Sequence, residues 1–386
     1  MTLSEARAIV LVIDSGGVGA SDDAPSYHDP AWANTLGNVA KAAGGLALPN
    51  LGKLGLGCIT SIAGVAAVAQ PLAGVARLRE TSNGKDTVTG HWEMMGITIR
   101  NAFPTYPHGF PQELIDRFEA LIGRKTLGNE VASGTEIIER LGAEHVRTGF
   151  PIVYTSADSV FQVAAHEGVV PLETLWAWCA VARDMLVPPN RVNRVIARPF
   201  DGVSGKFVRT AGRRDYAVAP PSPSMLECLG RAGIPTYGLG KIQDIYSCQG
   251  IAAGKRTADN DEGLSKTAEW LQSDVSGFCF TNLNDFDSKY GHRRNPDGYA
   301  KALLALDQRL PELLNVLRKG DRLLITADHG CDPTAPGTDH TREFAPLLDY
   351  RPGTGGAVLG TLDSFAQVGT RVLETFGIEP AQGLTV

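Results

Sequence analysis

Three apolar runs lie far apart in the chain, and each leads into an aspartate. Ala8-Ile9-Val10-Leu11-Val12-Ile13 is followed by Asp14. Gly277-Phe278-Cys279-Phe280-Thr281-Asn282-Leu283 leads into Asn284-Asp285-Phe286-Asp287, and Leu323-Leu324-Ile325-Thr326-Ala327 is followed by Asp328. Runs of this length read as buried strands, and between them the apolar period changes to that of helices, which is the pattern of an α/β fold with a mostly parallel sheet. Open α/β sheets bind ligands beyond the carboxyl ends of their strands. Carboxylates from the two ends of the chain are therefore expected to meet at one edge.

Between the second and third runs, Leu303, Leu306, Leu310, Leu313, Leu314 and Leu317 recur at helical spacing, with Pro311 as a kink or joint. This reads as a crossover helix between neighbouring parallel strands, its leucines committed to the core. The middle of the chain differs. Phe103-Pro104-Thr105-Tyr106-Pro107 and Pro220-Pro221-Ser222-Pro223 break the pattern on either side of amphipathic helices (112–122, 134–141, 172–185) and strands (151–154, 194–199). A chain of 386 residues exceeds the roughly 250–300 at which a single core stops growing. The expectation is a core domain from 1–102 and 219–386, with 103–218 inserted as an α+β cap hinged at its breakers.

Composition closes off other classes. The net charge of −6, from 36 basic and 42 acidic side chains, argues against binding nucleic acid by neutralising phosphates. No apolar run reaches the ~18–20 residues that span a bilayer. The first apolar run ends in Asp14 rather than a small-residue cleavage site, so it reads as a strand and not a signal peptide. Six cysteines without a CxxC pair read as buried thiols in a reducing compartment. A cytoplasmic protein with no membrane, nucleic-acid or protein partner is expected.

Four of the eight histidines, His91, His292, His329 and His340, stand in polar sequence near aspartate or glutamate. Imidazole with carboxylate and no thiolate favours Mn²⁺, Mg²⁺ or Zn²⁺. Asp14, Asp287, His292, Asp328, His329 and His340 make six donors, enough for two ions, and paired ions can clamp both oxygens of an in-line phosphoryl displacement. Such a reaction needs an acceptor, and Ser82-Asn83-Gly84-Lys85-Asp86-Thr87-Val88-Thr89-Gly90-His91 offers two threonine hydroxyls. Spacing leaves Thr87 and Thr89 both open. A basic strip (Arg191, Arg194, Arg198, Lys206, Arg209, Arg213, Arg214) crosses the cap. Arg198 ends an apolar strand, so its fork is the one expected to face a substrate phosphate.

With these residues identified, the chain resembles the prokaryotic phosphopentomutases of the alkaline phosphatase superfamily, nearly end to end. The likeness rests on Asp14-Ser15 with Gly17-Val18-Gly19, on Gly84-Lys85-Asp86-Thr87 with Thr89-Gly90-His91-Trp92-Glu93, and on Tyr154 to Val160 with Ala165-His166-Glu167. It continues in Arg194 to Phe200, Gly240-Lys241-Ile242, Gly291-His292-Arg293-Arg294, Ala327-Asp328-His329-Gly330 and Gly337 to Glu343. The resemblance implies an alkaline-phosphatase-like core with an inserted cap, and an isomerase that interconverts (deoxy)ribose 1-phosphate and 5-phosphate through a 1,5-bisphosphate. It implies Thr87 as the phosphorylated nucleophile. It implies one manganese on Asp14, Asp328 and His329 and another on Asp287, His292 and His340, with Mg²⁺ or other divalent ions as substitutes. Ser156, Asp158, His166, Arg198, Arg209 and Lys241 would contact the pentose phosphate. Glucose 1,6-bisphosphate or ribose 1,5-bisphosphate would prime the enzyme.

The chain departs from the family pattern in Ala33-Asn34-Thr35-Leu36-Gly37-Asn38, where a carboxylate and an imidazole are usual. No implied cation ligand is lost by this, but support around the site is altered. The competing readings are another superfamily phosphatase or phosphosugar mutase, or a sugar-phosphate-binding protein without catalysis.

Overall fold

A computed structural model describes residues 6–156 and 159–386. The chain divides into two units, Met1–Asn101 with Ala219–Val386, and Ala102–Val218.

The first unit is built on an eight-stranded sheet. Its order is Ala253–Lys255, Thr236–Leu239, Gly277–Leu283, Arg7–Ile13, Arg322–Thr326, Ala345–Tyr350, Gly74–Leu78 and Val358–Leu362. Only Ala345–Tyr350 runs against the others. The three aspartate-ended runs are adjacent strands in matched register, with Ile13 opposite Leu283 and Val12 opposite Thr326. All three are buried along their whole length, which is why their sequences are mostly apolar rather than alternating.

The crossover differs from expectation. Helix Pro296–Leu314 does join Gly277–Leu283 to Arg322–Thr326, but Arg7–Ile13 lies between those two strands. A buried arginine locks it there. Arg7 Nε donates to both Asp321 carboxylate oxygens at 3.1 and 3.2 Å, and its other nitrogens reach the carbonyls of Leu271 and Val316. Leu303, Leu306, Leu310 and Leu313 of the helix pack on Ile9, Leu11 and Ile13, the core role assigned to them. Pro311 lies in the last turn, three residues before the helix ends.

The second unit has its own sheet, ordered Leu127–Val131, Ile152–Thr155, Val160–His166, Arg194–Asp201 and Val208–Arg209, with Arg214–Ala217 also pairing with Arg194–Asp201. Helices Gln112–Ile122 and Leu172–Met185 bury one face of it around Phe118, Phe161 and Cys179. Helix Gly134–Thr148 covers the other face through Ile137 and Ile138, against Ile152, Tyr154, Ala164 and Phe200. That helix runs past the expected end at Leu141, because Gly142 serves packing rather than termination. A Cβ there would stand 2.6 Å from the Phe207 ring.

The cysteines are all free, but Cys248 is exposed and Cys58 half-buried, so the expectation of buried thiols holds only for the other four. Among the described residues no helix is long and apolar enough to cross a membrane.

Candidate active site

Because three neighbouring strands end together, Asp14 and Asp328 stand side by side on their carboxyl ends, and Asp287 follows on a short π-helical turn, Phe286–Gly291. All three carboxylates are buried. His329 Nε2 lies 3.4 Å from Asp14 Oδ1 and 3.3 Å from Asp328 Oδ2. Beside this group, Asp287 Oδ1 lies 3.3 Å from His340 Nε2, Asp287 Oδ2 lies 3.4 Å from His292 Nε2, and the two Nε2 atoms are 3.1 Å apart. The His329 and His340 rings stack at 3.9 Å, which brings the two groups together. The six donors read from the sequence are thus assembled in one place. His292 is fixed by its Nδ1–H, which donates to the Thr338 carbonyl at 2.6 Å and leaves Nε2 facing Asp287.

The donor chemistry fits divalent cations. Asp14 Oδ1, Asp287 Oδ1 and Asp328 Oδ2 are buried and make no hydrogen bond, a costly state for a carboxylate oxygen unless a cation takes it. Burial, with Asp328 adjacent, raises the Asp14 carboxyl above its usual range. Burial also opposes charge on His329, yet Asp328, Asp14 and Asp287 lift its imidazole well above its ordinary value. Such an excess of negative charge is what a pair of cations offsets. Cys331 is an addition that the sequence reading left out, since its Sγ lies within 4.8 Å of donor atoms of Asp287 and His292. Burial pushes its thiol far up, which keeps it protonated and a poor ligand for a hard ion.

A helix cap sets the two threonines in different surroundings. Asp86 is the N-cap of helix Thr87–Met94, and its carboxylate accepts from the N–H groups of Val88 and Thr89 and, at 2.6 Å, from the Thr89 hydroxyl. Thr89 is thereby buried and engaged. Thr87, at the first helical position, points its Oγ1 at His329 Nε2, 3.1 Å away. Two further residues register this helix on the strand ends. Gly90 packs so closely that a Cβ would meet the Asp328 carbonyl oxygen at 2.0 Å. His91 Nδ1 lies 2.8 Å from the Thr87 carbonyl and 3.2 Å from Asp328 Oδ2. The sequence reading noted His91 but gave it no role; its i, i+4 spacing from Thr87 was the available signal.

Around Asp14, the Ser15 N–H donates to Asp328 Oδ1 at 3.0 Å, Asn282 Nδ2 donates to Asp14 Oδ2 at 3.1 Å, and Lys241 Nζ stands 3.8 Å from the same oxygen. The departures from the family pattern also have partners. Asn34 caps helix Thr35–Ala42 by accepting from the Gly37 N–H, and Asn38 Nδ2 donates to Asp332 Oδ2 at 2.6 Å.

In the second unit, a cavity of about 190 Å³ is lined by Ser156, Gln162, Arg194, Arg198, Arg209 and Arg213. The basic strip feeds it through strand alternation, because Arg194, Ile196 and Arg198 share the face opposite the buried Val195 and Ala197. Arg198 sits inside the strand Arg194–Asp201 rather than at its end. Burial and the neighbouring Arg213 and Arg209 lower the pKa of the Arg198 guanidinium, a repulsion that a bound anion relieves. Arg213 and Arg194 pair with Asp215, whereas among the described residues no carboxylate pairs with Arg198 or Arg209. Arg214 instead lies over the Trp176 and Tyr216 rings. His166 is not brought to this cavity. Its Nε2 lies 3.0 Å from the Gly202 carbonyl, and its Nδ1 accepts from the Gly168 N–H. Asp158 lies outside the described residues.

Residues 6–380 match the model of the metalloenzyme superfamily. A phosphopentomutase of Clostridium novyi (strain NT) is 53% identical, over 97% of this chain and 96% of that one. Another, from Anaeromyxobacter sp. (strain K), is 54% identical over 98% and 97%. Among solved structures, the PH0037 protein from Pyrococcus horikoshii superposes with a TM-score of 0.52 at 13% identity, covering 98% of this chain and 99% of that chain. That last likeness concerns the fold alone.

Proposed function

The chain belongs to the phosphopentomutases, isomerases of the metalloenzyme superfamily with an alkaline-phosphatase-like core, and from that premise we propose that it interconverts (deoxy)ribose 1-phosphate and (deoxy)ribose 5-phosphate by passing a phosphoryl group through Thr87. The supporting observation is the 3.1 Å approach of Thr87 Oγ1 to His329, beside three buried carboxylate oxygens that make no hydrogen bond.

Asp14, Asp328 and His329 would hold one divalent cation, and Asp287, His292 and His340 the other. Two Mn²⁺ or Mg²⁺ ions, when bound, supply Lewis-acid charge that stabilises the threonine alkoxide and the transferred group. Asp86 fixes Thr87 at the helix start, where the free backbone N–H groups and the helix dipole favour a phosphate. The phosphoryl group on Thr87 passes to the free hydroxyl of a pentose monophosphate, giving the 1,5-bisphosphate and restoring the threonine. The bisphosphate's other phosphoryl group then returns to Thr87, leaving the isomeric monophosphate. Glucose 1,6-bisphosphate or ribose 1,5-bisphosphate primes the cycle by phosphorylating Thr87. Lys241 offers an ammonium group beside Asp14.

The inserted segment 103–218 acts in this reading as the substrate-binding cap. Ser156, Arg198 and Arg209 grip the non-reacting phosphate, since theirs is the cavity with uncompensated guanidinium charge. Six free cysteines support a reducing, cytoplasmic setting.

The test is conversion of ribose 1-phosphate to ribose 5-phosphate by the purified protein with Mn²⁺ and glucose 1,6-bisphosphate. Turnover that stops on chelation is the expected result. Release of free phosphate at a comparable rate would instead identify a phosphatase.

A further inference from the structure

We propose that Lys85 is a positioning residue that holds Thr87 in register with His340, an inference that rests on the roles just given to those two side chains. Lys85 precedes Thr87 by two residues and contacts no cation donor. Its Nζ lies 2.9 and 3.3 Å from the two Asp29 carboxylate oxygens and 3.1 Å from Asp339 Oδ2. Each carboxylate in turn fixes a backbone amide beside His340. Asp339 Oδ1 accepts from the His340 N–H at 2.8 Å, and Asp29 Oδ2 accepts from the Arg342 N–H at 2.8 Å. One ammonium group thus joins the nucleophile's loop to both sides of His340.

The adjoining residues support the same alignment. The Arg342 guanidinium donates to the carbonyls of Glu80, Ser82 and Gly84, the stretch that leads into Lys85. Arg342 is itself buried and ion-paired with Glu80 and Asp23, so replacing it would unsettle folding. Lys85 is half-buried, its side chain 17% exposed, and can be replaced without emptying the core. Removing its charge leaves Asp29 and Asp339 to repel each other across the peptide that carries His340, and the loop bearing Thr87 loses its hold there.

The experiment titrates Mn²⁺ into wild type, Lys85→Met and Lys85→Arg, reading free Mn²⁺ by electron paramagnetic resonance and then measuring kcat and KM for ribose 1-phosphate. In Lys85→Met, one of the two Mn²⁺ equivalents is expected to loosen about tenfold, the scale on which supporting partners act on metal ligands. The other equivalent should not change. A fall of about tenfold or more in kcat with KM within about twofold follows from a displaced nucleophile. Lys85→Arg keeps the bridging charge and recovers most of both losses. The proposal is overturned if Lys85→Met binds both equivalents like wild type with kcat unchanged, if both equivalents weaken together, or if the loss falls in KM alone. A wild-type protein that binds two Mn²⁺ but turns over no pentose phosphate would sink the functional reading, while the titration would still report on Lys85.

Discussion

At the scale of the single residue, the contrast between Thr87 and Thr89 is the sharpest. Peptide mapping after incubation with glucose 1,6-bisphosphate should place phosphate on Thr87; Thr87→Ala should take no label and lose activity while still binding Mn²⁺. Thr89→Ala gives up a hydroxyl bond to Asp86 worth about 1 kcal/mol, and should still be labelled. Label on Thr89 in the wild type would reverse the assignment. Gly90→Ala tests how tightly the helix abuts the strand end. With the Asp328 carbonyl 2.0 Å from the new methyl, the helix must move, and a loss of about 2–3 kcal/mol in urea unfolding is expected, with a larger loss in kcat. The six candidate cation donors stand out in the sequence because aspartates closing apolar runs and histidines in polar sequence are local signals. The difference between the two threonines does not show in their spacing, since it depends on which hydroxyl Asp86 captures, and that is a matter of three-dimensional capping. His91 stands out in the sequence without a role for a related reason: its partners are a carbonyl one helical turn back and a carboxylate from the far end of the chain.

Among the elements, helix Gly134–Thr148 carries two expectations. Gly134 leaves room for Arg209 and Tyr154, and a methyl there would stand 2.1 Å from Arg209 Nη2 and 2.5 Å from the Tyr154 hydroxyl. Gly134→Ala should therefore raise KM for ribose 5-phosphate about tenfold with kcat within about twofold, as expected when binding alone is lost. A kcat effect of equal size would separate this cavity from simple binding. Near the other end of the helix, buried His145 donates from Nδ1 to the Phe150 carbonyl and accepts the His166 N–H at Nε2. Burial, opposed by the Phe150 carbonyl, lowers the His145 pKa below the ordinary imidazole range. The unfolded chain then takes up the proton more readily, so the contribution to stability is full above about pH 6.5 and declines as pH falls below it. Hydrogen exchange at the His166 amide, corrected for intrinsic rate, should show weaker protection at pH 5.5 than at 7.5. Equal protection would refute the neutral assignment. Pattern alone located this helix but cut it short at Leu141, because a glycine and a buried histidine there replace the expected apolar residues. The crossover was misjudged because adjacency of strands is a long-range property. Nothing between residues 283 and 322 reveals that a strand from the amino end sits between them.

Across the whole molecule, every candidate cation-donor group among the described residues lies in the unit made of Met1–Asn101 and Ala219–Val386. Free Mn²⁺ at a hundred times its Kd adds about 2.7 kcal/mol per site to the folded state. Chelation should accordingly lower the urea midpoint of that unit and deprotect amides at the ends of Arg7–Ile13, Gly277–Leu283 and Arg322–Thr326. Exchange within 102–218 should not change, and a response spread evenly over the chain would contradict the confinement of the cations to one unit. The proline-rich breakers near 103 and 220 carried the information about this division, since a break in hydrophobic period is local even when the contacts it separates are not. The central place of Arg7–Ile13 has one more consequence. On the ribosome this strand emerges long before its two partners, Gly277–Leu283 and Arg322–Thr326. A nascent chain must carry the apolar segment Ala8–Ile13 unpaired until those partners are made, which makes it a natural client for a holding chaperone.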